Sequence, residues 1–143
     1  MNQQVPPIVK LAERVLLSIE DAVGGFARKH KYAIGSELRR DARIGARLAH
    51  RAWRDQPRRS EWIQKLVQAV DDLKIDLQIS QDLRAFRSFA QFEALARLIS
   101  DLGRQCGGWH NAHRKGQSDR DRKSPGRRAQ ILSARDASQE ANP

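Results

Sequence analysis

The sequence has one cysteine (Cys106), one methionine (Met1) and one tyrosine (Tyr32) among 143 residues. A single cysteine excludes an internal disulfide framework and points to an intracellular, cytoplasmic protein. No apolar run approaches the ~20 residues that a membrane span needs, so no membrane partner is expected. The stretch Met1 to Pro7 is polar and turn-forming and lacks the hydrophobic core of a secretory signal, so secretion is not expected. Strand signals are nearly absent. The glycine pairs Gly24-Gly25 and Gly107-Gly108 lack the flanking pattern of a phosphate-binding loop. Hydrophobic residues make up 39% and charged residues 31%. That balance predicts a folded body with a polar tail rather than general disorder.

What is abundant is positive charge. There are 27 Lys and Arg against 17 Asp and Glu, a formal net charge of +10. It is unevenly placed. Residues 110–143 hold 8 basic and 4 acidic residues, a balance of +4, while residues 28–59 hold 11 basic and 3 acidic, a balance of +8. The rest of the body is slightly acidic. After His113 no apolar period remains, and a segment that buries so little cannot offset the entropy of ordering it. The expected organisation is therefore a folded domain over residues 1–112 and a disordered basic, polar tail over residues 113–143.

The body reads as four amphipathic helices. The first opens after Pro6-Pro7, where proline is tolerated because early helical N–H groups lack partners. Ile8, Leu11, Val15, Ile19, Val23 and Phe26 then recur at helical steps. Gly24-Gly25 is expected to mark a kink or a close backbone approach. A basic link, Arg28 to Lys31, leads to a second helix over about Tyr32 to Asp55. Its expected buried face is small: Ile34, Leu38, Gly45 or Leu48, and Ala52. Gln56-Pro57 ends it, since a residue before proline is pushed out of helical conformation. Ser60 is the expected N-cap of the third helix, which buries Trp62 or Ile63, Leu66, Val70, Leu73 and Leu77 and ends near Ser80 to Leu83. The fourth carries Phe89, Phe92, Leu95 or Ala96, Ile99, Leu102 and Cys106, with a glycine C-cap expected at Gly107-Gly108. Short links favour antiparallel neighbours, so the predicted fold is all-α, an antiparallel up-down four-helix bundle.

On the second helix Arg39, Arg43, Arg47, Arg51, Arg54 and Arg58 follow one another at steps of four and three, which puts them on one slowly turning face. Arg40, His50 and Arg59 broaden it. From Arg39 to Arg54 such a ridge is about 22 Å long. Like charges at i, i+4 repel by a few tenths of a kcal/mol per pair, so helix stability alone does not favour this pattern. Arginine also matters here, because its guanidinium grips phosphate or carboxylate with a two-pronged fork. A solvated basic face would account for the ridge without function. The functional reading is an anion-binding surface for nucleic-acid backbone, an acidic protein face, or both. No helix-turn-helix or zinc-finger pattern accompanies it, so salt-dependent backbone binding is expected rather than sequence readout.

Signals of a reaction centre are sparse. Cys106, His110 and His113 fall at i, i+4 and i+7, a spacing that could offer zinc three ligands. Yet a fourth ligand is missing and position 106 continues an apolar stripe, so the sulfur reads as a small core residue and no metal is assigned. Asp71, Asp72 and Asp76 read as a solvated acidic face, or as partners for arginines across an interface. The arginines run along an outer ridge rather than converging on a pocket. The chain is thus read as a non-enzyme without a cofactor.

Two stretches go beyond composition. One is Phe26-Ala27-Arg28-Lys29-His30-Lys31-Tyr32-Ala33-Ile34-Gly35-Ser36-Glu37-Leu38-Arg39, an aromatic, a basic loop, an aromatic, then an apolar-Gly pair. The other is Ile99-Ser100-Asp101-Leu102-Gly103-Arg104-Gln105-Cys106-Gly107-Gly108-Trp109, an apolar-Gly-Arg segment closing in Gly-Gly-Trp. Together with the order and lengths of the helices, they resemble the accessory variability determinant (Avd) proteins of diversity-generating retroelements, over about Ile8 to Asn111. The resemblance implies a four-helix bundle that assembles as a homopentamer and binds the retroelement's reverse transcriptase and nucleic acid, RNA and also DNA. Such proteins support error-prone copying of a template-repeat RNA, while catalysis stays with the reverse transcriptase. The positions it makes functional are Arg28, Lys29, Lys31, Arg39, Arg40, Arg43, Arg47 and Arg51, to which the ridge adds Arg54 and Arg58. Gly107, Gly108 and Trp109 read as a packed helix terminus. The polar tail after His113 and Cys106 in the last helix depart from the family pattern. The tail could add RNA contacts through Arg120, Arg122, Lys123, Arg127 and Arg128, or only solubilise the chain. The alternatives are an RNA-binding bundle of the ribosomal RNA intervening-sequence type, a small helical enzyme such as a mutase, and a scaffold that meets acidic protein.

Overall fold

A computed structural model describes residues 4–123 of the chain. Among these residues all regular structure is helical. Helix α1 spans Pro7–Gly24, a single turn α2 spans Arg28–Lys31, α3 spans Ile34–Arg54, a 3-10 turn spans Gln56–Arg58, α4 spans Arg59–Asp82 and α5 spans Phe89–Lys123. A bundle of four long helices, α1, α3, α4 and α5, fits this order. The chain divides into two compact units, Met1–His110 and Asn111–Pro143. The first contains the hydrophobic core.

Pro6 takes an extended conformation (φ −58°, ψ 147°) and Pro7 opens the first turn of α1, where its missing N–H costs nothing. Ile8, Val9, Ala12, Val15, Ile19, Ala22 and Val23 form the buried face. Gly24 closes the helix and Gly25 follows in right-handed conformation (φ −90°, ψ −1°). The pair is therefore a helix end rather than a kink, and no other segment presses on it. The close approach lies at Gly35 instead. A Cβ there would stand 2.7 Å from Val23 Cγ1, 3.0 Å from the His30 carbonyl oxygen and 3.4 Å from Phe26 Cδ2. The basic link expected between the first two helices is itself the turn α2, and α3 begins two residues later than Tyr32.

Helix α3 packs against both α1 and α4. It does so with a thin face: Gly35, Leu38, Ala42, Gly45, Ala46, Ala49 and Ala52 are buried. Helix α4 begins at Arg59, and Ser60 falls inside its first turn without capping it. Direct continuation from the 3-10 turn leaves no extended residue at position 60 that could act as a cap. The buried residues of α4 are Ile63, Leu66, Ala69, Val70, Leu73, Leu77 and Ser80, and the Ser80 hydroxyl donates to the Asp76 carbonyl at 2.8 Å. The helix ends in a Schellman motif, with Ala85 N–H donating to Ser80 O and Arg84 N–H to Gln81 O, both at 2.9 Å. Arg84 takes the left-handed position (φ 58°) that glycine usually fills. Ala85 and Phe86 are buried, and the Phe86 ring meets Phe26 edge-on at 5.1 Å and Phe92 at 5.8 Å, which pins the link to α1 and α5.

Leu95, Ile99, Leu102 and Cys106 carry the apolar stripe of α5 into the core. The helix does not stop at Gly107-Gly108; it runs through both to Lys123, and no described glycine has a positive φ. Two glycines cost about 1 kcal/mol each relative to alanine, but propagating an existing helix needs no new nucleus. The next residues, Trp109 to Lys115, contain no proline. Residues 113–123, expected as the start of a disordered tail, are thus helical, and the remainder of that tail, with Arg127 and Arg128, lies outside the described residues.

Two substitutions test this reading of the backbone. Gly35→Ala is expected to lower unfolding stability by about 1–2 kcal/mol, since overpacking exceeds the gain in helix propensity. Arg84→Gly is expected to raise it by about 1 kcal/mol by relieving the left-handed position. Urea denaturation followed by circular dichroism measures both.

Candidate nucleic-acid interface

The ridge of α3 exists, but its arginines differ in what they touch. Arg39, at the α1 edge, is half-buried. Its Nε lies 3.0 Å from Glu20 Oε2, too oblique for an aligned hydrogen bond. Arg40 is exposed and only loosely paired with Glu37 at 3.9 Å. Arg58 forks onto Glu61 Oε2 through Nε at 3.2 Å and Nη2 at 3.1 Å. Arg43, Arg47, Arg51 and Arg54 are exposed and, among the described residues, have no carboxylate within 4.0 Å. Successive members of Arg43, Arg47 and Arg51 are one turn apart, about 6 Å along the axis.

These three arginines line a shallow groove of about 430 Å³ between α1 and α3, with Leu16 and Ala46 in its apolar floor and Glu13 and His50 on its wall. His50 Nε2 meets Glu13 Oε1 at 2.6 Å. The groove is open to solvent along its length, so it can take a chain laid across it rather than a small molecule enclosed in it. Arg28, Lys29 and Lys31 lie apart on α2, where Lys31 Nζ stands 6.0 Å from the Tyr32 ring centre. They form a second basic spot before the ridge.

Arg59, grouped with the ridge by its position in sequence, turns the other way. Its Nε donates to Ala52 O at 2.8 Å and its Nη2 to Trp53 O at 3.0 Å, satisfying carbonyls at the end of α3. Its guanidinium also lies 5.5 Å from the Trp109 ring centre. One side chain therefore ties the ends of α3 and α4 to α5, a structural role. Arg51 and Arg54, in the last turn of α3, also suit the negative end of its dipole, so part of their presence is structural.

Sequence reasoning missed two features. The first surrounds Trp62, between α3 and α4, where the Arg51 and Arg58 guanidiniums each lie 5.1 Å and Lys65 Nζ 5.0 Å from the indole centre. Arg54 stacks on Trp53 at 4.8 Å. The available signal was the pair of tryptophans flanking Gln56-Pro57, one inside the basic segment and one just past its end. The second is an acidic cluster on the side of α3 away from the arginine-lined groove. Asp41 faces Asp76 and Asp72 of α4, with Glu37 nearby, and its Oδ2 is buried without a hydrogen-bond partner. Burial first, then hydrogen bonding with and repulsion by Asp76, raises Asp41 to a pKa of about 7, with Asp72 and Glu37 adding to the effect. So Asp72 and Asp76 of α4 neighbour another carboxylate in this chain.

Cys106 is completely buried in the core. Burial pushes its thiol up to about 12 despite the opposing pull of the Lys74 ammonium. A sulfur held so firmly as thiol is poorly suited to metal ligation or nucleophilic attack, which both require thiolate. Among the described residues no group of three His, Cys, Asp or Glu side chains could hold a metal. Among them also, no helix is long and apolar enough to cross a membrane. No protein-family model matches the chain, and no curated protein matches its sequence.

Asp41 makes stability depend on pH in a defined direction. An acid whose pKa is raised on folding binds its proton more tightly in the folded state. Between the ordinary carboxylate value near 4 and about 7, stability therefore falls as pH rises, and the penalty is complete above 7. Asp41→Asn is expected to flatten that slope between pH 5 and 8 and to raise the melting temperature at pH 8 by roughly 4 °C for each kcal/mol recovered. Thermal melts across that range measure it; an unchanged slope would place the titration elsewhere.

Proposed function

We propose that this protein is a non-catalytic accessory protein of a diversity-generating retroelement, an Avd-type, antiparallel up-down four-helix bundle. In this reading it works in the cytoplasm, binding the reverse transcriptase and its RNA, with cDNA as a further ligand, through the basic face of α3. The observation that carries the reading is the row of exposed arginines Arg43, Arg47, Arg51 and Arg54, which have no carboxylate within 4.0 Å among the described residues. Guanidiniums kept without carboxylates, on consecutive turns and at the cost of mutual repulsion, suit an extended phosphate chain. The two stretches at residues 26–39 and 99–109 support the family assignment. Within the first, the apolar-Gly pair falls at Gly35, where only a hydrogen fits between Val23 and the His30 carbonyl.

A homo-oligomer, a pentamer by resemblance, belongs to the same proposal. Ile75 and Ile79 on α4 and Leu83 just past its end stand 58%, 41% and 47% exposed at successive helical steps. Asp72 and Asp82 lie beside them, opposite in sign to the α3 ridge. An apolar stripe with an acidic border is suited to meeting the basic side of another copy.

The double variant Arg43→Glu/Arg47→Glu is expected to weaken RNA binding by roughly 10- to 100-fold at low salt and to reduce the salt dependence of the binding constant. Helicity should be unchanged, because neither side chain packs in the core. Fluorescence anisotropy over a salt series reads both quantities, and unchanged affinity would move the surface elsewhere. In a companion experiment, the tagged chain should retain a co-expressed retroelement reverse transcriptase, with and without added RNA. Binding to neither enzyme nor RNA at low salt would overturn the proposal.

A further inference from the structure

The corner between α3 and α4 carries more than backbone charge. Trp62 Nε1 donates to Asp55 Oδ2 at 3.0 Å, which fixes the indole by its edge while the ring remains only half-buried. Around that ring stand Arg51 and Arg58 at 5.1 Å and Lys65 at 5.0 Å. Arg58 is balanced by Glu61 at 3.1 Å. Among the described residues neither Arg51 nor Lys65 has a carboxylate within 4.0 Å.

An indole face attracts a cation, but it is neutral overall and cannot relieve the repulsion between Arg51 and Lys65, the two cations left without a carboxylate among the described residues. An anion can. A phosphate placed between Arg51 and Lys65 would draw them off the ring, and the aromatic face thus uncovered could then take a flat, apolar surface. A nucleotide in an unpaired strand supplies both parts at the right separation, a phosphate beside a free base face. A duplex supplies the phosphates but keeps its base faces stacked inside. Arg51 also lines the groove that holds Arg43 and Arg47, so a strand following the ridge leads into this corner. Trp53, under Arg54 at 4.8 Å, offers a second indole nearby.

We infer that Trp62, ringed by Arg51, Arg58 and Lys65, is a stacking site for an unpaired base of single-stranded nucleic acid whose phosphates engage those cations. This rests on the nucleic-acid reading of the ridge and narrows it from any phosphate backbone to single strands. RNA and DNA share the recognised chemistry, so both are tested.

The experiment measures binding of the full chain to labelled oligouridine, oligothymidine and a mixed-sequence duplex by fluorescence anisotropy at fixed low salt. Trp62→Leu is expected to weaken both single strands about 10-fold while changing duplex binding less than about 2-fold. Trp62→Phe, which keeps an aromatic face but not the bond to Asp55, should recover most of the loss. A loss confined to one of the two strands supports the stacking and identifies the ligand. Equal loss on strand and duplex, no loss at all, or no recovery by Trp62→Phe overturns it, leaving Trp62 as a prop for the corner. Should Trp62→Leu fail to fold, Trp53→Phe/Trp109→Phe leaves Trp62 as the sole tryptophan. Its emission should be quenched by the single strands and not by the duplex, and binding without quenching overturns the inference. A wild-type chain that binds neither strand nor duplex overturns the ridge reading itself, an outcome distinct from duplex binding with an inert Trp62.

Discussion

Everything else in this protein is arranged around the close packing of α3, a helix with almost nothing large to bury. Leu38 is the one bulky side chain wholly inside on its buried face; the other positions are alanine or glycine. Such a face lets neighbouring helices approach closely, and at Gly35 the approach leaves no space for a Cβ. Core volume must then come from the neighbours, from Val15, Ile19 and Val23 of α1, Leu66 and Leu73 of α4, and Ile99 and Leu102 of α5. A thin buried face also leaves the remaining α3 positions exposed or half-buried. That is where the arginines sit, and their long aliphatic stems can cover apolar edges such as Leu16 and Ala46 while the charges stay solvated.

Within that row, each arginine's position around the helix decides its role. Arg39 lies beside α1 and meets Glu20, while Arg59, just past the turn, folds back on the α3 carbonyls and Trp109. Those two are part of the fold. Arg43, Arg47, Arg51 and Arg54 point where no carboxylate of a described residue reaches, and their repulsion is left uncompensated. A charge pattern that stability does not favour is a reason to look for a ligand.

The helices were legible because periodic burial is a local signal, and the stripes of α1, α4 and α5 repeat at helical spacing. The ridge was legible for the same reason. What escaped depended on competition or on tertiary distance. Gly107-Gly108 has the composition of a glycine C-cap, but neither glycine takes the left-handed conformation of such a cap, and here continuing the helix prevailed. Ser60 has the chemistry of a cap, but the 3-10 turn feeds straight into α4 and leaves it nothing to cap. Asp41 looked like one acid in a basic segment until α4 brought Asp76 and Asp72 beside it. Trp62 and Ile63 were alternatives for one core position; Ile63 took the fully buried place and left the indole among cations.

The acidic cluster and the arginine-lined groove lie on opposite sides of one helix, and that opposition has a physical consequence. Asp41 lies about 160° around α3 from Arg43, so α3 is negative toward Asp72 and Asp76 of α4 and positive along the open groove by α1. The cluster's proton affinity links the two sides. Burial and the neighbouring Asp76, Asp72 and Glu37 hold the Asp41 carboxyl above the usual carboxylate range, and each proton it gives up makes the α4 side more negative. An approaching polyanion is repelled from that side and attracted to the other, so the field orients it before contact. The narrow packing face thus separates the charges while bringing the helices together, and leaves the groove by α1 as the side of α3 where a polyanion would meet least opposition.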